Sequence, residues 1–381
     1  MTIDAFRARF PIFAKRVYVN SCSQGALSVD VEAALATFIE SWHAGGSPWD
    51  VWVAEVERLR ERFATLVGAD SDEIAVMPSA SVAIAAIATS LSFETTRRNV
   101  VVGDFEFPTM AHVWQGHQRR GAHVLWAKAE GETLPTDAYA RLVDDRTLIV
   151  PATHLCFRNG YRLDIPALVS LCHARGAYVM LDDYQHTGTA PIDVHALGVD
   201  FMVTGALKYL LGPAGVAFLY VRRDLVEWLT PLNTGWFGRA DPFTFNLTPL
   251  DWSESARRFE GGTPPIANAY AATAGLDVLH GVGLSAVHAQ IARLVARLHD
   301  GARARGLVPA TPADPERRGP LVVIRARDAS TLVERLANRG IIASARGNGL
   351  RVSFHAYNTA EDVDAVLAAL DAEAALLARA V

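Results

Sequence analysis

From about residue 70 to residue 220, short apolar runs alternate with longer stretches whose apolar positions recur at helical spacing. The short runs Glu73–Met77, Val100–Val102, His123–Trp126, Thr147–Pro151, Tyr178–Leu181, Phe201–Val203 and Val216–Val221 predict strands. The longer stretches Val29–Trp42, Trp52–Leu66, Val82–Ser90, Ile165–Arg175 and Asp224–Leu229 predict helices. This order implies an α/β architecture, a mostly parallel seven-stranded sheet with helices on both faces and ligands at the carboxyl ends of its strands. From Pro231 to Pro265 Gly, Pro, Trp and Phe break the pattern, as expected of a functional loop region at a domain junction. Beyond it, Ala267–Leu279 and Leu284–Arg305 predict long helices. Strand Leu321–Arg325, helix Ala329–Arg339, strand Leu350–Phe354 and helix Ala360–Leu377 then make a compact α+β unit. The expected division is a large domain over 16–250 and a small one built from 1–15 and 265–381.

Length and charge narrow the function. A chain of 381 residues can bury a large core, and its net charge of −5 offers no basic footprint for nucleic acid. The apolar run Val82–Leu91 is too short to span a bilayer, and the charged start Met1–Arg16 does not read as a signal peptide, so a cytoplasmic location is expected. Cys22, Cys156 and Cys172 lie far apart without a Cys-x-x-Cys pair, which points to buried thiols rather than a disulfide framework or zinc site. Of the 36 basic residues only Lys15, Lys128 and Lys208 are lysines, so a lysine in apolar surroundings calls for a reason.

Lys208 is that lysine. It stands between a strand and the loop Gly212-Pro-Ala-Gly215, flanked by Leu207, Leu210 and Leu211. Desolvation there lowers its pKa and frees a neutral amine for nucleophilic work, which arginine could not do; a snorkelling lysine at a strand end is the plain alternative. Asp182 and Asp183 follow the apolar run Val179–Leu181, where a buried carboxylate facing a pyridine nitrogen would keep it protonated. A helix cap or a metal-binding pair is the other reading, although no cluster with metal-ligand spacing accompanies them. Ser79-Ala80-Ser81, between a strand and a helix start, suits a phosphate or is simple capping. All three lie at strand-to-loop junctions of one sheet.

Taken together, these segments resemble the class V aminotransferase family, which includes cysteine desulfurases, kynureninases and isopenicillin-epimerase-like proteins. The likeness runs from Tyr18-Val-Asn20 to the final helix. It implies pyridoxal 5′-phosphate as cofactor, held as a Schiff base on Lys208, and the fold type I of such transferases. It also implies that Asp182 and Gln185 bind the pyridine nitrogen and ring hydroxyl, with Asp183 a bystander, and that Ala80 and Ser81 contact the phosphate. Glu106-Phe107-Pro108-Thr109 resembles a kynureninase-type segment that places Phe107 on the ring face. Glu260-Gly-Gly-Thr263-Pro is similar to a family loop whose threonine reaches the neighbouring subunit's phosphate, implying a homodimer. Arg351, in Leu350-Arg351-Val-Ser-Phe-His-Ala-Tyr-Asn358, is implied to clamp the substrate carboxylate bidentately. Asn20 and Ser21 resemble N-terminal residues that line the site.

Three departures shape the expected chemistry. Ala343 to Leu350 carries no cysteine before the arginine, so persulfide-forming desulfurase chemistry is not expected. Gly205-Ala-Leu207 stands where many members have Ser-Gly-His or Ser-Tyr; two phosphate contacts are absent or replaced, with Thr204 and Tyr209 the candidates. Phe157 occupies the place of a cofactor-side Asn. The expected reaction at the α-carbon of a small amino acid is amino transfer, followed by β-elimination of a C–S bond. Kynureninase-like hydrolysis ranks lower because Met110 stands where an acidic residue is expected. Two other classes are a non-catalytic protein of the same fold and a nicotinamide enzyme, the latter resting only on His280-Gly-Val-Gly283, which follows a helix rather than a strand. Trp236 and Phe237 either wall the substrate pocket or pack at the junction.

Overall fold

In the computed structural model, which describes residues 1–379, the first long helices are α1 (Val29–Gly45) and α2 (Trp49–Val67). Ser28 caps α1 by accepting the amide of Val31 at 3.2 Å, and α2 stops at Gly68 in the left-handed region. In α2, Trp52, Val56, Leu59, Phe63 and Leu66 recur at helical spacing and are buried. The large sheet follows: β1 (Ile74–Met77), β2 (Asn99–Gly103), β3 (His123–Ala127), β4 (Thr147–Thr153), β5 (Tyr178–Asp182), β6 (Phe201–Gly205) and β7 (Ala217–Val221). Its order is β1-β7-β6-β5-β4-β2-β3, with only β7 antiparallel to its neighbours. This matches the seven runs read from sequence to within a residue or two at most ends.

Both faces of the sheet are covered, so its strands are apolar throughout rather than alternating. Val100 and Val102 of β2 pack into a cluster with Ile84 and Ile87 of α3 (Ala80–Ser90) and Trp114 of α4 (Pro108–Gly116). Val101 faces the opposite cluster, which holds Phe63, Leu168 of α5 (Ile165–His173) and Leu276 of α6 (Ile266–Val282). Helix α4 was not anticipated: Met110 and Trp114 alone are buried along Pro108–Gly116, too sparse a pattern to mark a helix. The segment Asp224–Leu229 is helical only over Arg223–Val226.

At Gly283 (φ 84°) the chain turns from α6 into α7 (Leu284–Ala304). A three-stranded antiparallel sheet follows, formed by β8 (Leu321–Arg325), β9 (Ser344–Arg346) and β10 (Gly349–Ser353) with β10 central, alongside α8 (Ala329–Asn338) and α9 (Ala360–Ala372). The N-terminal segment joins this unit. Arg7 pairs with Asp362 at 2.8 Å, and Phe6 and Phe10 pack on Tyr357. The pairing continues past residue 15: Val17 and Tyr18 run parallel to Ile341 and Ile342, and Asn20 bridges to Ser353. The N-terminal share of the small unit therefore extends beyond the expected boundary. Among the described residues no single helix is long and apolar enough to cross a membrane.

Candidate active site

The carboxyl ends of the parallel strands open onto a cavity of about 350 Å³. Thr153 ends β4 and Asp182 ends β5, and both line it. Ala80 and Ser81, in the first turn of α3, line it too, where backbone amides lack intrahelical acceptors. Ser79 caps the same helix through the amide of Val82 at 3.3 Å, and the Ser81 and Thr109 hydroxyls meet at 3.1 Å. Capping and an open anion cradle coexist at this helix start.

Lys208 reaches the cavity from the turn after β6. That turn is held from outside by Gly25, whose amide donates to the Leu207 carbonyl at 2.7 Å. A Cβ on Gly25 would stand 2.4 Å from the Lys208 carbonyl oxygen, so only glycine allows this approach. The contact also brings Cys22 and Ser23 into the wall. The Lys208 Nζ lies 4.3 Å from the Tyr184 ring centroid and 5.8 Å from that of Phe107. Burial lowers the Lys208 amine to about 8; Asp182 opposes that shift, and Arg351 and Arg346 add to it. Burial likewise raises the Asp182 carboxyl to about 6, against the pull of the Tyr184 amide and Lys208.

These groups suit pyridoxal phosphate. Asp182 is buried and, among the described residues, its side chain accepts only the Tyr184 amide, at 3.0 Å, which leaves a carboxylate short of donors for a protonated ring nitrogen to meet. Gln185 donates to the Cys22 carbonyl at 3.2 Å, while its Oε1 is buried without a partner, an acceptor that a ring hydroxyl satisfies. The amides of Ala80 and Ser81 provide for the phosphate.

Of the residues named from sequence, Lys208, Ala80, Ser81, Phe107, Asp182, Gln185 and Arg351 converge on this one cavity. Five do not line it: Ser21 is fully buried and its hydroxyl meets that of Tyr357 at 2.8 Å. Thr204 is buried near the end of β6 with its hydroxyl unpartnered among the described residues. Tyr209 turns toward the small unit and stacks on His355, with ring centroids 6.0 Å apart. Asn20 is drawn into the bridge with Ser353. Thr263 is exposed on its loop. Trp236 and Phe237 pack on each other and on Trp49 and Phe243, so the junction reading of that pair holds. Met110 is fully buried, with the Trp114 Nε1 3.3 Å from its sulfur, and does not line the cavity.

Asp183 is no bystander to the architecture. Its carboxylate, fully buried, accepts from His154 Nδ1 at 2.6 Å, from His186 Nδ1 at 3.2 Å and from the Thr187 hydroxyl at 2.5 Å. Burial alone would raise this carboxyl; the two imidazoles hold it well below the ordinary range. Asp183 thereby locks the turn whose preceding residue, Asp182, faces the cavity, and it ties His186 away from it.

Tyr184 was missed. A Cβ built on Gly205 would lie 2.0 Å from the Tyr184 hydroxyl, so this tyrosine fills the space a side chain at 205 would need. The signal was present in sequence as a large residue two positions after Asp182 combined with glycine before the lysine, but only tertiary contact couples them. Gly205→Ala is expected to destabilise the protein by about 1–3 kcal/mol, as overpacking does. Adding Tyr184→Ala should recover most of that loss, which thermal unfolding of the single and double variants measures.

Comparison with known proteins adds four findings. The Aminotransferase class-V family model matches residues 50–366. An uncharacterized aminotransferase of Bacillus subtilis, YcbU, is 35% identical over 360 residues, covering 94% of this chain and 95% of that one. A kynureninase of Deinococcus radiodurans is 31% identical, covering 90% of this chain and 88% of that one. Among solved structures, the Escherichia coli cysteine desulfurase CsdA superposes with a TM-score of 0.88 at 24% identity, over 99% of this chain and 100% of that one, a likeness of fold.

Proposed function

The chain belongs to the class-V aminotransferase family, as a pyridoxal-phosphate-dependent enzyme acting on an amino-acid substrate, and we propose that it transfers the amino group of a small amino acid using Lys208. The observation that carries this reading is the convergence of Lys208, Asp182 and Arg351 on one cavity that no histidine or glutamate lines among the described residues. When bound, pyridoxal phosphate supplies a carbonyl that condenses with amines and a ring that draws electrons from the substrate α-carbon.

The chain's own groups do the rest. Lys208, with its amine lowered to about 8, has a substantial neutral fraction near neutrality and takes the α-proton at its Nζ. Moving that proton from one carbon to another needs a single base, which is why amino transfer is placed first. Asp182 holds positive charge at the ring nitrogen, Gln185 meets the ring hydroxyl, and the first turn of α3 holds the phosphate. Phe107 and Tyr184 flank the lysine Nζ. Arg351 fixes the substrate carboxylate and thereby the face presented to Lys208.

A second reading, β-elimination, needs no further group, since the proton that Lys208 takes from the α-carbon can pass to the departing β-substituent. We also propose a homodimer in the cytoplasm. Exposed apolar side chains in the junction segment, among them Leu232, Phe245, Leu247 and Leu250, suit coverage by a second copy. The Glu260 carboxylate is anchored by Arg60 at 2.5 Å and by the Val76 amide at 2.8 Å, which fixes the loop from which Thr263 would reach the partner. Three free buried thiols suit a reducing compartment.

Borohydride reduction of the purified protein, followed by peptide mass mapping, is expected to show a pyridoxyl adduct on Lys208. An unmodified Lys208 after incubation with pyridoxal phosphate would overturn the assignment. With the adduct established, transfer of the amino group to an added 2-oxo acid supports the first reading, and release of ammonia with a thiol supports the second.

A further inference from the structure

We propose that Arg346 is a second anion clamp and that the substrate is an amino acid with an acidic side chain, a reading that rests on the amino-acid site proposed above. Arg351 and Arg346 both line the cavity, on neighbouring strands of one hairpin. The register pairs Ser344 with Arg351 and Arg346 with Gly349. Arg346 is therefore the diagonal neighbour of Arg351 on the same face of the sheet, about 7–8 Å away along the strands. Side chains two apart on a strand share a face, so the two guanidiniums leave the hairpin in one direction.

Among the described residues neither meets a carboxylate. Arg351, buried to 1% exposure, donates to the Ser344 hydroxyl (3.2 Å), the Phe157 carbonyl (2.8 Å) and the Ser23 hydroxyl (2.7 Å), all uncharged acceptors. Arg346 bonds only to the carbonyl of its neighbour Ala345, at 2.8 Å, and among the described residues it has no carboxylate partner. Its surroundings make this notable. On the same side of the fold, Arg325 pairs with Glu132 and Lys128 with Asp104, so acidic groups are at hand and go to other cations. Two like charges held on one hairpin face repel, and Arg351 in turn lowers the Arg346 guanidinium after burial has done so. Arg346 is exposed and water carries its charge before substrate binds, whereas buried Arg351 has uncharged acceptors alone among the described residues.

One carboxylate accounts for one clamp. A monocarboxylic amino acid would leave the exposed Arg346 guanidinium to water, unused in recognition. An acidic side chain gives each clamp its own anion, and two clamps a fixed distance apart discriminate by chain length between aspartate and glutamate homologues. The remaining wall, with Phe107 and Phe157 edge to face at 5.2 Å, accommodates the methylene stem between the two charged ends.

The test is calorimetric titration of the cofactor-loaded protein with succinate and glutarate, against propionate and butyrate as monocarboxylate controls. The dicarboxylates should bind tighter than the monocarboxylates by on the order of 10–100-fold, the range of one additional charge-assisted hydrogen-bonded pair. Arg346→Ala should reduce dicarboxylate affinity to the monocarboxylate level, and Arg346→Gln should fall with it because it keeps polarity and loses charge. Equal affinity of the two ligand classes for the unaltered protein would overturn the proposal. So would a variant in which both classes weaken together, or one in which pyridoxal-phosphate affinity, read from its absorbance, falls instead and assigns Arg346 to the cofactor. Failure of the Lys208 adduct would reject the enzymatic reading, and a dicarboxylate preference in the cofactor-free protein would then leave the double clamp standing.

Discussion

Lys208→Ala is expected to abolish turnover, with kcat lower by at least about 10²–10⁴-fold, the range that a positioned proton-transferring group contributes. The fold should not suffer, because the amine is a desolvated cation, lowered to about 8, whose removal relieves burial of charge. Melting temperature and turnover are therefore expected to separate, the first holding while the second vanishes. Lys208→Arg should be equally inactive, since a guanidinium stays protonated and offers neither a nucleophile nor a base at neutral pH. Lys208 is a free amine only in the substrate complex, so kcat rather than kcat/KM should rise with pH as the neutral amine forms, and this limb should be missing in both variants. Turnover by Lys208→Ala at more than a tenth of the original rate would remove the lysine from the mechanism.

The large sheet was legible because each of its strands is buried on both faces and so reads as a continuous apolar run, bounded by polar or glycine-rich turns. Lys208 and Asp182 were legible for a related reason: a charge at the end of such a run has few places to go except a cavity at the strand end. Contacts between segments distant in sequence were not. Tyr184 fits only because Gly205 has no side chain, a pairing across two strands that no local pattern signals. Arg346 sits in the cavity because of the Ser344–Arg351 register, and a shift of one residue would turn it to the other face. Strand β9 is three residues long, below what alternation can reveal, so the hairpin carrying Arg346 was read only as a segment without cysteine. Cys22 and Ser23 likewise enter the wall through the close approach of Gly25 to the lysine turn. Thr204 and Tyr209 were named for their nearness to Lys208 in sequence, but neither lines the cavity: Thr204 is buried in the sheet, and the loop's turn carries Tyr209 toward the small unit.

Arg351→Ala is expected to lower kcat/KM for the amino-acid substrate by about 2–5 kcal/mol, the cost of truncating one member of a buried, hydrogen-bonded charge pair. That corresponds to roughly 30- to several-thousand-fold. Three protein acceptors hold the Arg351 side chain: the Ser344 hydroxyl, the Phe157 carbonyl and the Ser23 hydroxyl. They fix the plane of the guanidinium before substrate arrives, and its remaining N–H groups are left for a carboxylate. Lysine cannot reproduce this fork, so Arg351→Lys should recover only part of the loss. The loss should appear mainly in KM, because the carboxylate does not change charge during the reaction. The decisive comparison is between the amino acid and the corresponding amine without the carboxylate. The unaltered protein should prefer the amino acid strongly, and in Arg351→Ala that preference should collapse. If the preference survives, the carboxylate is held elsewhere in the cavity, and the fall in activity reflects instead the three acceptors left unpaired behind the deleted side chain.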